Sequence, residues 1–176
     1  MSDHFNFDKL LNHDSSKANL DYIASQVQDK AEAFAAIMEY ALNGDPRIAM
    51  RASAVAERIT REYPDMIHPF VDEILIRFND FPHQGQKRNI MKIFTRMSFP
   101  EEQLGKIVDL SFSCVDNVKE SIAVQAYSME IIFNTCVEIP ELRKELRFIL
   151  QERQEYFSSG WQARARIFLK MLDKLT

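Results

Sequence analysis

Four histidines, two cysteines and a run of arginines between Arg47 and Arg61 are the residues of this sequence best equipped for chemistry. Zinc would need histidines one helical turn apart, or a His and a Cys at ligand spacing. His4, His13, His68 and His83 show neither arrangement and read as surface or loop residues. Nucleophilic catalysis by serine would need a strained strand-to-helix turn around the nucleophile. Ser111 and Ser113 instead lie inside a helical stretch. Cys114 and Cys136 stand 22 residues apart within apolar stretches. They are expected to be reduced and buried, since cysteine is among the most buried residue types. A phosphate-cradling loop needs closely spaced glycines, and Gly44, Gly85, Gly105 and Gly160 are dispersed. The residues therefore predict no catalytic group, no metal and no cofactor, and an enzyme ranks below a binding module.

What must position these residues is a helical chain. Its 176 residues suffice for one domain or a short repeat array. At 46% hydrophobic it can bury roughly two thirds of its unfolded surface without disulfide staples. Only 4 Gly and 6 Pro are present, too few turn residues for a many-stranded sandwich or barrel. The runs rich in Ala, Glu, Leu, Met, Arg and Lys favour helix. A formal net charge of −4 argues against broad binding to phosphate backbones. No apolar run approaches the roughly 18 to 20 residues that span a bilayer. The start, MSDHFNFDKLLNHDSS, lacks the basic head and apolar block of a secretory leader. A cytoplasmic protein with no membrane partner is expected.

The stretch GDPRIAMRASAVAERITREYP, Gly44 to Pro64, shows how the elements are built. Ile48, Ala52, Val55, Ala56 and Ile59 recur at helical spacing over 46–63. Asp45 is the expected N-cap, Pro46 suits the first helical position, and Pro64 closes the segment. A second helix is predicted over 67–79, with a stripe of Phe70, Val71, Ile74, Leu75 and Phe78. The pattern recurs. Segments ending at Pro64, Pro100 and Pro140 stand 36 and 40 residues apart, and each is followed by another helical run. The third pair places Ile122, Ala126, Met129, Phe133 and Cys136 on one helix and Leu142, Leu146, Ile149 and Leu150 on the next. A last helix carries Trp161, Ala165, Phe168, Leu169 and Leu172, with Ser158-Ser159 as its N-cap. Residues 16–42 supply two helices split near Gln28-Asp29. The first dozen residues form a short helix or an arm on that pair. A period of 36 to 40 residues marks a helical repeat, in which hairpins stack because none can bury its stripe alone.

The Gly44–Pro64 unit resembles the HEAT repeat, above all its bacterial HEAT-like form. There an Asp-Pro precedes a helix carrying an Arg and an Ala, here Asp45, Pro46, Arg51 and Ala52. The family's second helix opens near a proline, as at His68-Pro69, and carries aliphatic residues, here Val71, Ile74 and Leu75. The likeness is looser over 81–157, where Lys87 and Gln125 replace the expected Arg and no Asp-Pro occurs. The resemblance implies an all-α, right-handed α-α superhelix, a HEAT-like solenoid of about four helix pairs plus a C-terminal capping helix. Within a single domain over 1–176, the expected parts are a capping pair at 16–43, repeats at 44–80, 81–117 and 118–157, and a terminal helix at 158–176. It also implies a structural role for Asp45 and Arg51, which in such families tie neighbouring turns together.

Charge separates the two helices of each pair. Among first helices, 46–63 carries +2, 84–97 carries +4 and 118–137 carries −1; the last helix carries +3. Among second helices, 65–80 and 101–116 each carry −3, and 141–157 is neutral. In the family the second helices usually line the concave face, which would be acidic here. HEAT-like alkylpurine DNA glycosylases hold DNA in a basic groove. Nucleic-acid binding akin to theirs is therefore the alternative reading, and it would have to use Lys87, Arg88, Lys92 and Arg96 on the outer face. The simpler reading of those four is a solvated helix face. Ile76, Leu110 and Phe148 lie off the main stripes of their helices, and packing between repeats is the expected reason. Left exposed, they would give apolar spots rimmed by acids, suited to a peptide or helix ligand. The sequence thus predicts a non-enzymatic scaffold that binds another protein or peptide through Asp72, Glu73, Ile76, Arg77, Asp109 and Leu110, with its oligomeric state unassigned.

Overall fold

In the computed structural model, which describes residues 6–175, every regular element is helical. The chain divides into two compact units, one reaching to Ile93 and one beginning at Phe94. The first contains α1 (Phe7–His13), α2 (Lys17–Val27), α3 (Ala31–Asn43), α4 (Pro46–Ile59), α5 (Val71–Arg77) and all but the last residue of α6 (Gln84–Phe94). The second contains α7 (Glu101–Val115), α8 (Ile122–Glu138), α9 (Leu142–Glu152) and α10 (Ser159–Leu172). His4, like the rest of residues 1–5 and Thr176, lies outside the described residues.

The first unit is organised around α4, against which α1, α2 and α3 all pack. Asp45 starts this helix as expected: its carboxylate accepts from the Arg47 and Ile48 amides at 3.0 and 3.1 Å, and Pro46 follows. The predicted stripe of Ile48, Ala52, Val55, Ala56 and Ile59 is buried throughout. Ala49, Ser53, Ala54 and Glu57 are buried too. The small residues let neighbours approach on several sides, so the buried arc is wider than one stripe.

The helix ends at Ile59, earlier than the Tyr63 expected from Pro64 alone. Thr60 is the C-cap residue, its backbone N–H donating to the Ala56 carbonyl and its hydroxyl to the same carbonyl at 2.9 Å. The next helix also departs from its expected 67–79. Pro64–Phe70 winds as a 3₁₀ helix and α geometry begins only at Val71. Pro69 sits inside that segment, where it lacks an N–H and its ring crowds the carbonyl four residues earlier.

Two arginine and carboxylate arrangements hold the first unit together. Arg51 donates from Nη1 to the carbonyls of Leu11 (2.8 Å) and Asn12 (3.2 Å), at the end of α1 where helix carbonyls lack partners. Arg51 is therefore structural, as its family likeness implied. Its partner is α1, because Asp45 spends its carboxylate on its own helix. Glu57 is a carboxylate only 3% exposed. Arg61 Nη2 lies 2.6 Å from Oε2, and Lys92 Nζ lies 3.2 Å from Oε1. Hydrogen bonding to Glu57 raises the Arg61 pKa above its ordinary value. The same interior strip has Asn89 Nδ2 donating to Ser53 Oγ at 3.0 Å and Gln86 Nε2 donating to the Ala41 carbonyl at 2.7 Å.

In the second unit α8 is central, packed by α7, α9 and α10. Its expected stripe is only partly right: Met129 and Cys136 are fully buried, while Ile122 is largely exposed. Val124, Gln125, Ser128, Ile131, Ile132 and Thr135 are buried as well. A helix covered on three sides has no single stripe, which is why the register slipped. Ser158 caps α10, accepting from the Trp161 amide. Trp161 is fully buried, stacked on Phe157 at 4.4 Å, and its Nε1 donates to the Val115 carbonyl at 3.2 Å. It closes the core formed with Met129, Ile132, Leu146, Leu150, Phe168 and Leu172.

Trp161→Ala is expected to lower the unfolding free energy by roughly 3–5 kcal/mol in urea denaturation. A loss below about 1 kcal/mol would show that the indole is not packed as described. Glu57→Ala is expected to cost about 2 kcal/mol, and the loss should persist at roughly 0.5 M salt because the carboxylate is shielded from solvent. A variant as stable as the parent would contradict this arrangement.

Candidate functional site

α5 is short because Pro69 delays it, and its inward residues are few. Val71 and Ile74 are fully buried, and Phe78 follows them into the core. Of the residues between them, Leu75 and Arg77 are half-buried and the others face outward. Asp72 and Glu73 are exposed, and Ile76 is 80% exposed. Arg77 is fixed beside them: its Nη1 donates to Glu73 Oε1 at 2.9 Å and to Asn43 Oδ1 at the end of α3. Asn43 Nδ2 in turn donates to Glu39 Oε1 at 2.9 Å. The first unit thus brings Asp72, Glu73, Ile76 and Arg77 onto one acidic face, with an isoleucine standing in it. In the second unit, on α7, Asp109 is exposed and Leu110 is half-buried. Packing was the expected reason for the off-stripe apolar residues, and it fails for two of them: Ile76 and Phe148, the latter 62% exposed, face solvent.

The basic residues singled out on α6 divide differently. Lys87 is 6% exposed, with Nζ 5.3 Å from the ring centroid of the buried Phe78. Lys92 is committed to Glu57. Arg88 is exposed and donates to Asn89 Oδ1 at 3.3 Å. Arg96 is exposed in the connection after α6, in the second unit. No sequence signal revealed this, because Glu57 lies off the stripe of Ile48, Ala52, Val55, Ala56 and Ile59 and is buried only by neighbouring helices.

Two depressions accompany these faces. In the first unit, a groove of about 340 Å³ lies between α2 and the end of α4, lined by Asp21, Gln28, Arg58, Arg61 and Tyr63. Arg58 Nε lies 2.6 Å from Asp21 Oδ1, and Nη1 donates to the Ala54 carbonyl. In the second, a cleft of about 90 Å³ is lined by Phe99, Leu104, Ile131, Asn134 and Glu138. Cys114 and Cys136 are buried, as expected. Burial pushes the Cys136 thiol up to about 11, far from a nucleophile's range. Among the described residues, no three His, Cys, Asp or Glu are grouped to hold a metal ion. No helix among them is long and apolar enough to cross a membrane.

Neither the curated proteins nor the solved structures searched contain a match to this chain. A model of the HEAT repeat domain matches residues 7–172, from the first turn of α1 to the last residue of α10. The stacked helices, the Asp45-Pro46 start and the arginine tie from α4 to α1 agree with that match. The chain belongs to the HEAT repeat family, whose helical scaffolds typically mediate protein interactions.

Proposed function

We propose that this chain is a non-enzymatic interaction module that holds a protein or peptide on the outward face of α5, the surface expected to be concave. The observation that carries this reading is Ile76, an isoleucine 80% exposed between Asp72, Glu73 and Arg77. It contributes almost nothing to the core, whereas burying such a side chain in a partner is worth about 1.5–3 kcal/mol. Arg77 is pinned by Glu73 and Asn43, which pre-orders the face and lowers the entropy lost on binding. A basic segment with one apolar anchor suits this surface. On α7, Asp109 and Leu110 supply a like pairing of acid and aliphatic in the second unit. The nucleic-acid alternative is less well supported, because Lys87 and Lys92 are engaged with Phe78 and Glu57.

Affinity capture from native lysate with the full chain tests this reading. One protein is expected at about equal stoichiometry, retained by the parent and lost by Asp72→Lys/Glu73→Lys and by Ile76→Ser. Retention of the same protein by all variants, or recovery of nucleic acid alone, would overturn it. Ile76→Ser is expected to shift stability by no more than about 0.5 kcal/mol, since the site is exposed, so lost binding would not reflect unfolding.

A further inference from the structure

A cluster of exposed cations lies on α10 and the turn that follows it. Arg164, Arg166 and Lys170 are exposed on the helix, and Lys174 is exposed in the turn after it. None of the four is in an ion pair among the described residues. The one acid of the segment, Asp173, is taken up by Arg147 at 2.8 Å. Setting these four cations aside leaves the other charges of the chain at −8, against −4 for the whole. The strip is therefore a local basic surface on an acidic protein.

Its residues line one side of the helix. Ala163, Ile167, Lys170 and Lys174 recur at i, i+4, i+7 and i+11, and Arg164 and Arg166 flank that line. Ile167 is 46% exposed at its centre. Ile122, equally exposed, extends the apolar part at the helix start. A Cβ placed on Gly160 would stand only 2.8 Å from Ile122 Cδ1, so the isoleucine lies directly against the first turn of α10. From Arg164 to Lys174 the face runs about 15 Å, nearly three turns of a facing helix.

We propose that the outward face of α10 docks an acidic amphipathic helix of a partner protein. Carboxylates about one turn apart on that helix meet Arg164, Arg166, Lys170 and Lys174, and an apolar side chain rests on Ile167 and Ile122. The chemistry favours a protein over a nucleic acid. Bases need exposed aromatic faces to stack on, and both aromatics of α10, Trp161 and Phe168, are buried. A polyanion longer than the strip would also run onto a chain that is otherwise net acidic. This surface goes beyond the α5 reading and does not depend on it.

The test is fluorescence anisotropy on the full chain with a labelled amphipathic peptide of about 16 residues, carrying glutamates on one flank of a leucine stripe. Controls are the same peptide with Gln for Glu, a single-stranded oligonucleotide of similar length, and phosphatidylserine vesicles. The acidic peptide is expected to bind, and to bind about tenfold or more weakly to Arg166→Glu/Lys170→Glu and at roughly 0.5 M salt. Ile167→Ser should weaken it several-fold, which charge attraction alone would not produce. All these positions are exposed, so thermal unfolding should match the parent. No binding of the acidic peptide, equal binding of the Gln peptide, indifference to the substitutions, or tighter binding of the oligonucleotide or vesicles would each overturn the proposal.

Discussion

A helical hairpin has apolar area on more sides than its own partner helix can cover, and this constraint governs the rest of the molecule. α4 and α8 show its consequence. Each is covered by three other helices of its unit, and each is buried over most of its circumference. α4 meets this demand with small residues, Ala49, Ala52, Ser53, Ala54 and Ala56, which let neighbouring helices come close. α8 meets it with Ser128 and Thr135, whose hydroxyls donate to the Val124 and Ile131 carbonyls of their own helix. Neither central helix could persist alone in water, because helices of this length gain most of their stability from packing.

The same constraint decides which charged residues are available for partners. A central helix carrying Glu57 must be supplied with cations, and Arg61 and Lys92 meet that demand. Arg51 is consumed by the end of α1, and Arg143 by the Cys136 and Leu175 carbonyls, at 3.0 and 2.6 Å. What remains outside is what these internal demands leave over. In the first unit it includes an acidic face around Ile76; in the second it includes a basic face around Ile167. Both pair one exposed aliphatic with charges of a single dominant sign, a combination that adds specificity through charge and affinity through apolar contact.

The helices and their caps were legible in the sequence because they depend on local chemistry. Asp45-Pro46, Ser158 and the Gln28-Asp29 break each act within a few residues of themselves. The Trp161 cap was legible for a similar reason, since its apolar stripe is narrow. The register of α8 was not, because burial on three sides erases the alternation that reveals a face. The fate of Lys87 and Lys92 was not either, as it depends on Phe78 and Glu57 arriving from other helices. Charge counts per helix correctly marked α10 as basic, but they could not tell a cation spent in the interior from one left outside.

Amide hydrogen exchange followed along the chain bears most directly on the central role of α4 and α8. The account requires the amides from Val55 to Ile59 in α4, and from Ile131 to Cys136 in α8, to be the slowest in their units, opening only with global unfolding. α5 and the Pro64–Phe70 segment, which cover one side and face solvent on the other, should exchange much faster. Amides of α4 exchanging as fast as those of α5 would contradict the account, because the helix around which the first unit is built would then open as readily as a peripheral one.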